Sequence, residues 1–249
     1  MDKELSVTAH RGGTRLGPEN SLTTLRRATS MGVPWAEIDV QLTADGAVVV
    51  VHDEDIARIT GVHRLVSDCT LTELRAISGE GGREPIATLE ECIAVVRGRT
   101  RLNIELKDYG RSQELPARVV AILREKDFVN GARICSFSPE LLHSVRALEP
   151  QLGVGYILAQ DEGVFPRKGE AAFLSASYKV VTPWLLWRAR GRGLEVHAWT
   201  VNEKRRMLHL LALGVDNLIT DDPVLAKEAV AAFQRKGWFA RLLLMLVWW

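Results

Sequence analysis

Two short runs in this sequence alternate charged side chains with aliphatic ones: Glu37-Ile38-Asp39-Val40 and Asn103-Ile104-Glu105-Leu106-Lys107. In an extended chain, residues two apart share a face. Glu37 therefore points with Asp39, and Asn103 points with Glu105 and Lys107. Charges set into an aliphatic strand are costly to bury unless paired or bound to a metal. Three carboxylates brought to one place repel each other or protonate, and a divalent cation relieves that. An all-oxygen donor set suits Mg²⁺ or Ca²⁺, with Mn²⁺ as a third candidate, rather than Zn²⁺. His10-Arg11 and His52 complete the set. Arginine forks onto phosphate oxygens, Lys107 adds a point charge, and two imidazoles can divide base and acid work near neutrality. A cation, cationic side chains and an acid–base pair are what cleavage of a phosphodiester needs. Metal and Arg11 would offset charge on the equatorial oxygens. One histidine would deprotonate the nucleophile and the other would protonate the departing alkoxide.

Such groups need a scaffold that brings distant segments together. The chain has 249 residues, 47% hydrophobic and 25% charged, the mix of an ordinary globular domain. A net charge of +1 gives no electrostatic case for nucleic acid as a partner. Cys69, Cys92 and Cys135 are odd in number and far apart, which excludes a disulfide framework and a paired-cysteine zinc site. Short aliphatic or β-branched runs predict strands at Leu5–Ala9, Ala36–Leu42, Leu102–Leu106, Arg133–Phe137, Val154–Leu158, Lys179–Thr182, Val196–Val201 and Asn217–Thr220. Helical spacing lies between them at Leu22–Met31, Leu89–Val96, Leu115–Lys126, Pro139–Leu148, Leu185–Arg190, Lys204–Leu213 and Val224–Phe233. Strands alternating with helices mean a parallel sheet. Eight such units in about 235 residues fit a closed (β/α)8 TIM barrel, whose usual size is ~250 residues. An open dinucleotide-binding sheet would carry GxGxxG after the first strand, where this chain has His10-Arg11-Gly12-Gly13.

One segment breaks the alternation. Only Ala44-Asp45-Gly46 separates the strand-like runs Glu37–Thr43 and Ala47–His52, which is a hairpin loop and too short for a crossover. A turn centred on Asp45-Gly46 would pair position 43 with 48 and return His52 to the level of Asp39, within a residue of register. Residues 53–87 then form an insertion containing one short helix, opened by the capping box Thr70…Glu73. The expected organisation is a barrel over residues 1–235 with that insertion, then an apolar tail over 236–249. Leu242–Trp249 follows Arg235, Lys236 and Arg241, a composition that suits either packing on the barrel or anchoring at a membrane interface. Met1-Asp2-Lys3-Glu4 shows no secretory pattern. The expected compartment is cytoplasmic, with peripheral membrane contact through the tail.

Taken in order, these motifs resemble the glycerophosphodiester phosphodiesterase family: His10-Arg11-Gly12, Pro18-Glu19-Asn20, Glu37-Ile38-Asp39-Val40, Val51-His52-Asp53, Thr88-Leu89-Glu90-Glu91, Asn103-Ile104-Glu105-Leu106-Lys107, Trp199-Thr200-Val201-Asn202 and Thr220-Asp221. The resemblance runs from His10 to about Pro223. It implies a TIM barrel with an insertion, and Ca²⁺- or Mg²⁺-dependent hydrolysis of glycerophosphodiesters to sn-glycerol 3-phosphate and an alcohol. It implies metal ligation by Glu37, Asp39 and Glu105, acid–base work by His10 and His52, phosphate contacts from Arg11 and Lys107, and a substrate-side Trp199. Ser21 and Pro34-Trp35 depart from the family's commoner residues, away from this chemistry.

Other readings of the same residues stay open. A lysophospholipase D or phospholipase-like lyase would use the two histidines to form a cyclic phosphate. A non-catalytic lipid- or phosphate-binding barrel would keep the pocket without turnover, and a different metal barrel enzyme would act on a sugar or keto acid. Glu19 and Asn20 read as caps of the first helix and braces of its loop, Asp221 and Asp222 as caps of the last helix, and Asn202 as a turn residue. Trp184, Trp187 and Leu185-Leu186 read as an apolar rim for the acyl chain of a lysophospholipid.

Overall fold

The computed structural model describes residues 5–160 and 165–246. In chain order its elements are β1 (Ser6–Ala9), α1 (Leu22–Ser30), β2 (Trp35–Leu42), β3 (Val48–Val50), α2 (Ala57–Thr60), α3 (Leu71–Ser78), α4 (Leu89–Val96), β4 (Arg101–Leu106), α5 (Leu115–Glu125), β5 (Ala132–Ser136), α6 (Pro139–Leu148), β6 (Gly153–Leu158), β7 (Phe173–Ser177), α7 (Pro183–Gly191), β8 (Glu195–Trp199), α8 (Lys204–Leu213), β9 (Asn217–Thr220), α9 (Pro223–Gln234) and α10 (Trp238–Leu246). The strands form one sheet in the order β1-β9-β8-β7-β6-β5-β4-β2-β3, and a β1–β2 pairing closes it. All strands but β3 run parallel, so the result is the eight-stranded parallel barrel that the alternation predicts.

Burial explains the alternation in β2. Ile38 and Val40 belong to the main core between sheet and helices, with Leu25, Leu89 and Ile93. The intervening Glu37, Asp39 and Gln41 are buried too, on the face that looks into the barrel. The same alternation sorts β3: Val48 and Val50 join the main core, while Val49 and Val51 pack under the insertion with Ile56, Val66, Leu74 and Ile86. The insertion holds α3, opened by the expected Thr70–Glu73 capping box, and also the single turn α2.

One predicted strand is displaced. The run Lys179–Thr182 is not a strand; β7 lies at Phe173–Ser177 instead. Val180-Val181-Thr182 has strand composition, but Thr182 caps α7 by accepting the Leu185 N–H, and Pro183 opens the helix. Phe173-Leu174-Ser175-Ala176-Ser177 has no β-branched residue and three small ones, a weak strand signal. A Cβ placed on Gly155 of β6 would meet the Phe173 ring at 2.1 Å, so the ring needs a glycine beside it.

The tail begins as a helix. α10 packs against α8, where His209 Nδ1 meets the Leu244 carbonyl at 2.8 Å, and the Arg241 guanidinium lies over the Phe233 ring. Its other face leaves Trp238 78% exposed, with Phe239, Leu242 and Leu243 exposed beside it. Val247, Trp248 and Trp249, like Met1–Glu4, lie outside the described residues. No described helix is long and apolar enough to cross a membrane.

Candidate active site

The C-terminal ends of the strands converge on a cavity of about 200 Å³ lined by His10, Arg11, Glu37, His52, Glu105, Lys107 and Trp199, among others. β1 ends at Ala9, and the chain turns sharply through His10–Gly12, with Arg11 held at φ +50°. That left-handed conformation is uncommon for a residue with a side chain, and here it turns the Arg11 N–H back onto Glu37 Oε2 at 2.7 Å. The hairpin brings His52 to the same mouth. Its register is Val40 with Val50 and Leu42 with Val48, so Asp39 lies opposite Val51 rather than His52. The Val51 N–H accordingly donates to the Asp39 carbonyl at 3.0 Å. The pairing is offset by one residue, within the range expected, and His52 stands just beyond Asp39.

Glu37, Asp39 and Glu105 meet as the sequence pattern requires: one oxygen from each lies within 4.8 Å of the others. In-register pairing of β2 with β4 sets Asp39 directly across from Glu105. Lys107 Nζ donates to Glu105 Oε1 at 2.7 Å and lies 3.4 Å from Asp39 Oδ1. Asn20 Nδ2 donates to Asp39 Oδ2 at 2.9 Å. Burial pushes the Glu37 carboxyl up to about 8, and the charge of Asp39 adds to that. Burial and Asp39 likewise raise Glu105. Asp39 goes the other way: burial is outweighed by the charges of Lys107 and His52 and by Asn20, and its pKa falls. Glu37 Oε1 is buried with no hydrogen-bond partner among the described residues. An orphaned carboxylate oxygen, crowded anions and an all-oxygen donor set fit a hard divalent cation.

Each histidine is held from behind by a carboxylate. His10 Nδ1 meets Asp221 Oδ1 at 2.8 Å, and His52 Nδ1 meets Asp53 Oδ1 at 2.6 Å. An ionised carboxylate only accepts, so Nδ1 carries the proton and Nε2 of each ring is left for chemistry. His10 Nε2 lies 4.0 Å from Glu37 Oε2. Burial depresses His10, but the Asp221 hydrogen bond and the charge of Glu37 outweigh it, and its pKa is raised. For His52 burial prevails over Asp39 and Asp53, and the pKa is lowered. Burial would raise Asp221, yet its bonds to His10 and Asn202 hold it down at about 2.

Arg11 Nη1 donates to Glu19 Oε1 at 3.3 Å, and its Nε lies 3.6 Å from Asp39 Oδ2. Trp199 forms a wall of the cavity; its indole N–H donates to the Ser175 carbonyl at 2.8 Å, and Phe137 meets its ring edge-on. Three sequence expectations give way here. Glu19 and Asn20 do not cap α1, since Ser21 does; of their two expected roles bracing remains, with Glu19 on Arg11 and Asn20 on Asp39. Asp222 caps α9 as expected, but Asp221 orients His10, and Asn202 is more than a turn residue because its Nδ2 donates to Asp221 Oδ2 at 2.6 Å. Leu185 and Leu186 are buried in the main core, so the acyl-chain rim reduces to the exposed Trp184 and Trp187, neither of which lines the cavity.

Residues 10–225 match the model of the glycerophosphoryl diester phosphodiesterase family. A glycerophosphodiester phosphodiesterase of Caldanaerobacter subterraneus is 34% identical over 93% of this chain and 98% of its own length. Among solved structures, an Oleispira antarctica phosphodiesterase in complex with the product sn-glycerol-3-phosphate superposes with a TM-score of 0.78 at 28% identity, covering 91% of this chain and 96% of that one. A glycerophosphodiester phosphodiesterase from Parabacteroides distasonis gives a TM-score of 0.81 at 27% identity, with 94% and 98% covered.

Proposed function

Because the chain belongs to the glycerophosphoryl diester phosphodiesterase family and is accordingly a phosphoric diester hydrolase, we propose that it cleaves glycerophosphodiesters to sn-glycerol 3-phosphate and an alcohol with a divalent cation on Glu37, Asp39 and Glu105 and with His10 and His52 as its acid–base pair. The observation that carries this reading is the convergence of three carboxylates, two carboxylate-backed imidazoles, Arg11 and Lys107 on one cavity. Bound there, the ion would act as a Lewis acid on the phosphate oxygens.

The remaining work belongs to the side chains. Arg11 and Lys107 would bind the anionic ester: Arg11 is braced by Glu19, and Lys107 is fixed between Glu105 and Asp39. Lys107 is buried among carboxylates that raise its pKa, so it stays charged throughout the working range. His10 and His52 present Nε2 to the cavity, one to take the nucleophile's proton and the other to return a proton to the leaving oxygen. Asp221 and Asp53 stabilise the imidazolium that forms in each case. Trp199 and Phe137 would form the apolar side of the substrate site. The product in the Oleispira antarctica complex favours hydrolysis and a small-molecule substrate.

The exposed Trp238-Phe239 and Leu242-Leu243 stripe of α10, flanked by Arg235, Lys236 and Arg241, supports peripheral contact with a membrane surface.

The test is product release from glycerophosphocholine by protein stripped with EDTA and reloaded with Mg²⁺, Ca²⁺ or Mn²⁺. Metal-dependent appearance of sn-glycerol 3-phosphate and choline is the expected result. A cyclic glycerophosphate as the final product would replace hydrolysis with the lyase reaction. Full activity after stripping would remove the cation from the mechanism.

A further inference from the structure

Arg58 belongs to the insertion, on α2, and does not line the cavity. Its guanidinium nonetheless touches both halves of the reaction centre through carboxylates. Nη1 and Nη2 donate to the two oxygens of Glu19 at 2.9 and 2.6 Å, a bidentate fork. Nε donates to Asp53 Oδ2. On its other side Glu19 accepts from Arg11 Nη1, and Asp53 Oδ1 meets His52 Nδ1. An unbroken line, Arg11–Glu19–Arg58–Asp53–His52, therefore crosses the mouth of the barrel.

We propose that Arg58 is a positioning residue for the hydrolysis: one guanidinium from the insertion holds two carboxylates at once, setting Arg11 for the phosphate on one side and the His52 ring for proton transfer on the other. The inference rests on the roles of Arg11 and His52 given above. Its physical basis is that Glu19 and Asp53 are like charges sharing one cation. Without that cation they repel, and each is free to turn away from the group it now orients. Arg11 would keep only its longer approach to Asp39, at 3.6 Å. His52 would lose the fixed acceptor that sets its tautomer and ring angle. Burial alone would raise both Glu19 and Asp53; their hydrogen bonds to Arg58 reverse this and keep both charged.

Stability is not what the clamp supplies. The Arg58 side chain is 49% exposed, and exposed ion pairs contribute little to folding. Catalytic geometry is more demanding, since a group must be held within about 0.5 Å and 10–20° of its working position. A displacement of ~1 Å costs about 100-fold in rate. The insertion thereby gains a role beyond packing on β3: it supplies the cation that locks one histidine and one arginine of the barrel into a single arrangement.

The experiment compares wild type with Arg58→Met, Arg58→Lys, Asp53→Asn and Glu19→Gln, and with each pair of Arg58→Met and an acid variant. Steady-state kinetics on glycerophosphocholine is one readout. The ¹⁵N imidazole signals of His52 in unliganded protein are the other. Arg58→Met is expected to lower kcat about 10–100-fold and to raise KM, with the melting temperature moved by no more than about 4 °C. Arg58→Lys, which offers no fork, recovers part of the loss. In the Asp53→Asn background the kcat effect of Arg58→Met shrinks to under about threefold, and in the Glu19→Gln background the KM effect disappears, because each acid carries one arm. His52 changes from a single Nδ1–H tautomer to a mixture in Arg58→Met. Full activity in Arg58→Met, equal losses in every background, or an unchanged His52 tautomer would overturn the clamp. If wild type shows no turnover, the proposed hydrolysis fails, and the tautomer result alone then decides for or against the clamp.

Discussion

Glu37 is a carboxylate that the fold disfavours as an anion, and replacing it with glutamine separates stability from function. Its carboxyl is raised from 4.5 to about 8 by burial and by Asp39. An acid whose folded pKa lies above its unfolded value binds protons more tightly when folded. Its contribution is present at low pH and is lost as pH rises toward the folded pKa. The slope over that interval is about 1.4 kcal/mol per pH unit. Metal-free wild type should therefore lose about 3 kcal/mol between pH 6 and pH 9 from this group alone. For a chain of this size that corresponds to about 6–12 °C in melting temperature. The raised Glu105 and His10 act with the same sign. Glu37→Gln keeps an oxygen that accepts the Arg11 N–H but removes the titration. Denaturation of EDTA-treated protein across this pH range checks the argument. The variant should be the more stable protein at pH 9, with the gap closing toward pH 6, and should have lost its metal-supported turnover. Saturating divalent cation should flatten the wild-type profile and leave the variant unmoved. A wild-type profile without slope, or a variant less stable than wild type at pH 9, would rule out Glu37 as a buried group titrating above neutrality.

Other perturbations reach different parts of the site. Asp221→Asn removes the carboxylate behind His10 and should lower kcat by about 10–100-fold with metal affinity retained, as turnover and metal titration together would report. Lys107→Met leaves Asp39 and Glu105 without their buried cation, so metal-free protein should lose about 3–5 kcal/mol in urea denaturation at neutral pH, a loss that divalent cation reverses. Replacing Trp238 and Phe239 by serine should reduce co-sedimentation with anionic vesicles several-fold without altering turnover of a water-soluble diester; unchanged sedimentation would detach α10 from membranes.

The legible parts of this molecule are those where one residue type has one physical use. Charges alternating with Ile and Leu have little purpose in a buried strand except to meet in the interior, and Glu37, Asp39, Glu105 and Lys107 do so. Capping boxes and helix-ending glycines marked helices well; Thr88–Glu91 and Gly214 stand where the pattern put them. β7 was hidden because its Ser and Ala positions lack strand propensity, and its one large ring, Phe173, is seated against Gly155 of β6. The hairpin register slipped by one because loop length alone does not fix which residue opens the pairing. The carboxylates behind the histidines were the hardest to see. An aspartate before a helix is ordinarily a cap, and of Asp221 and Asp222 only the second is. Asp53, adjacent to His52, offered a signal in its position, whereas Glu19–Arg58 spans 39 residues of chain and left none.

The proposed hydrolysis requires a hard cation and the phosphate to share the mouth of this barrel. Crystals grown with Mn²⁺ and sn-glycerol 3-phosphate, examined by anomalous diffraction, test it most directly. One Mn²⁺ peak is expected within about 2.0–2.6 Å of oxygens from Glu37, Asp39 and Glu105, with the phosphate between that peak and Arg11 and with Nε2 of both histidines facing it. A peak elsewhere, or a phosphate bound away from Arg11 and Lys107, would contradict it.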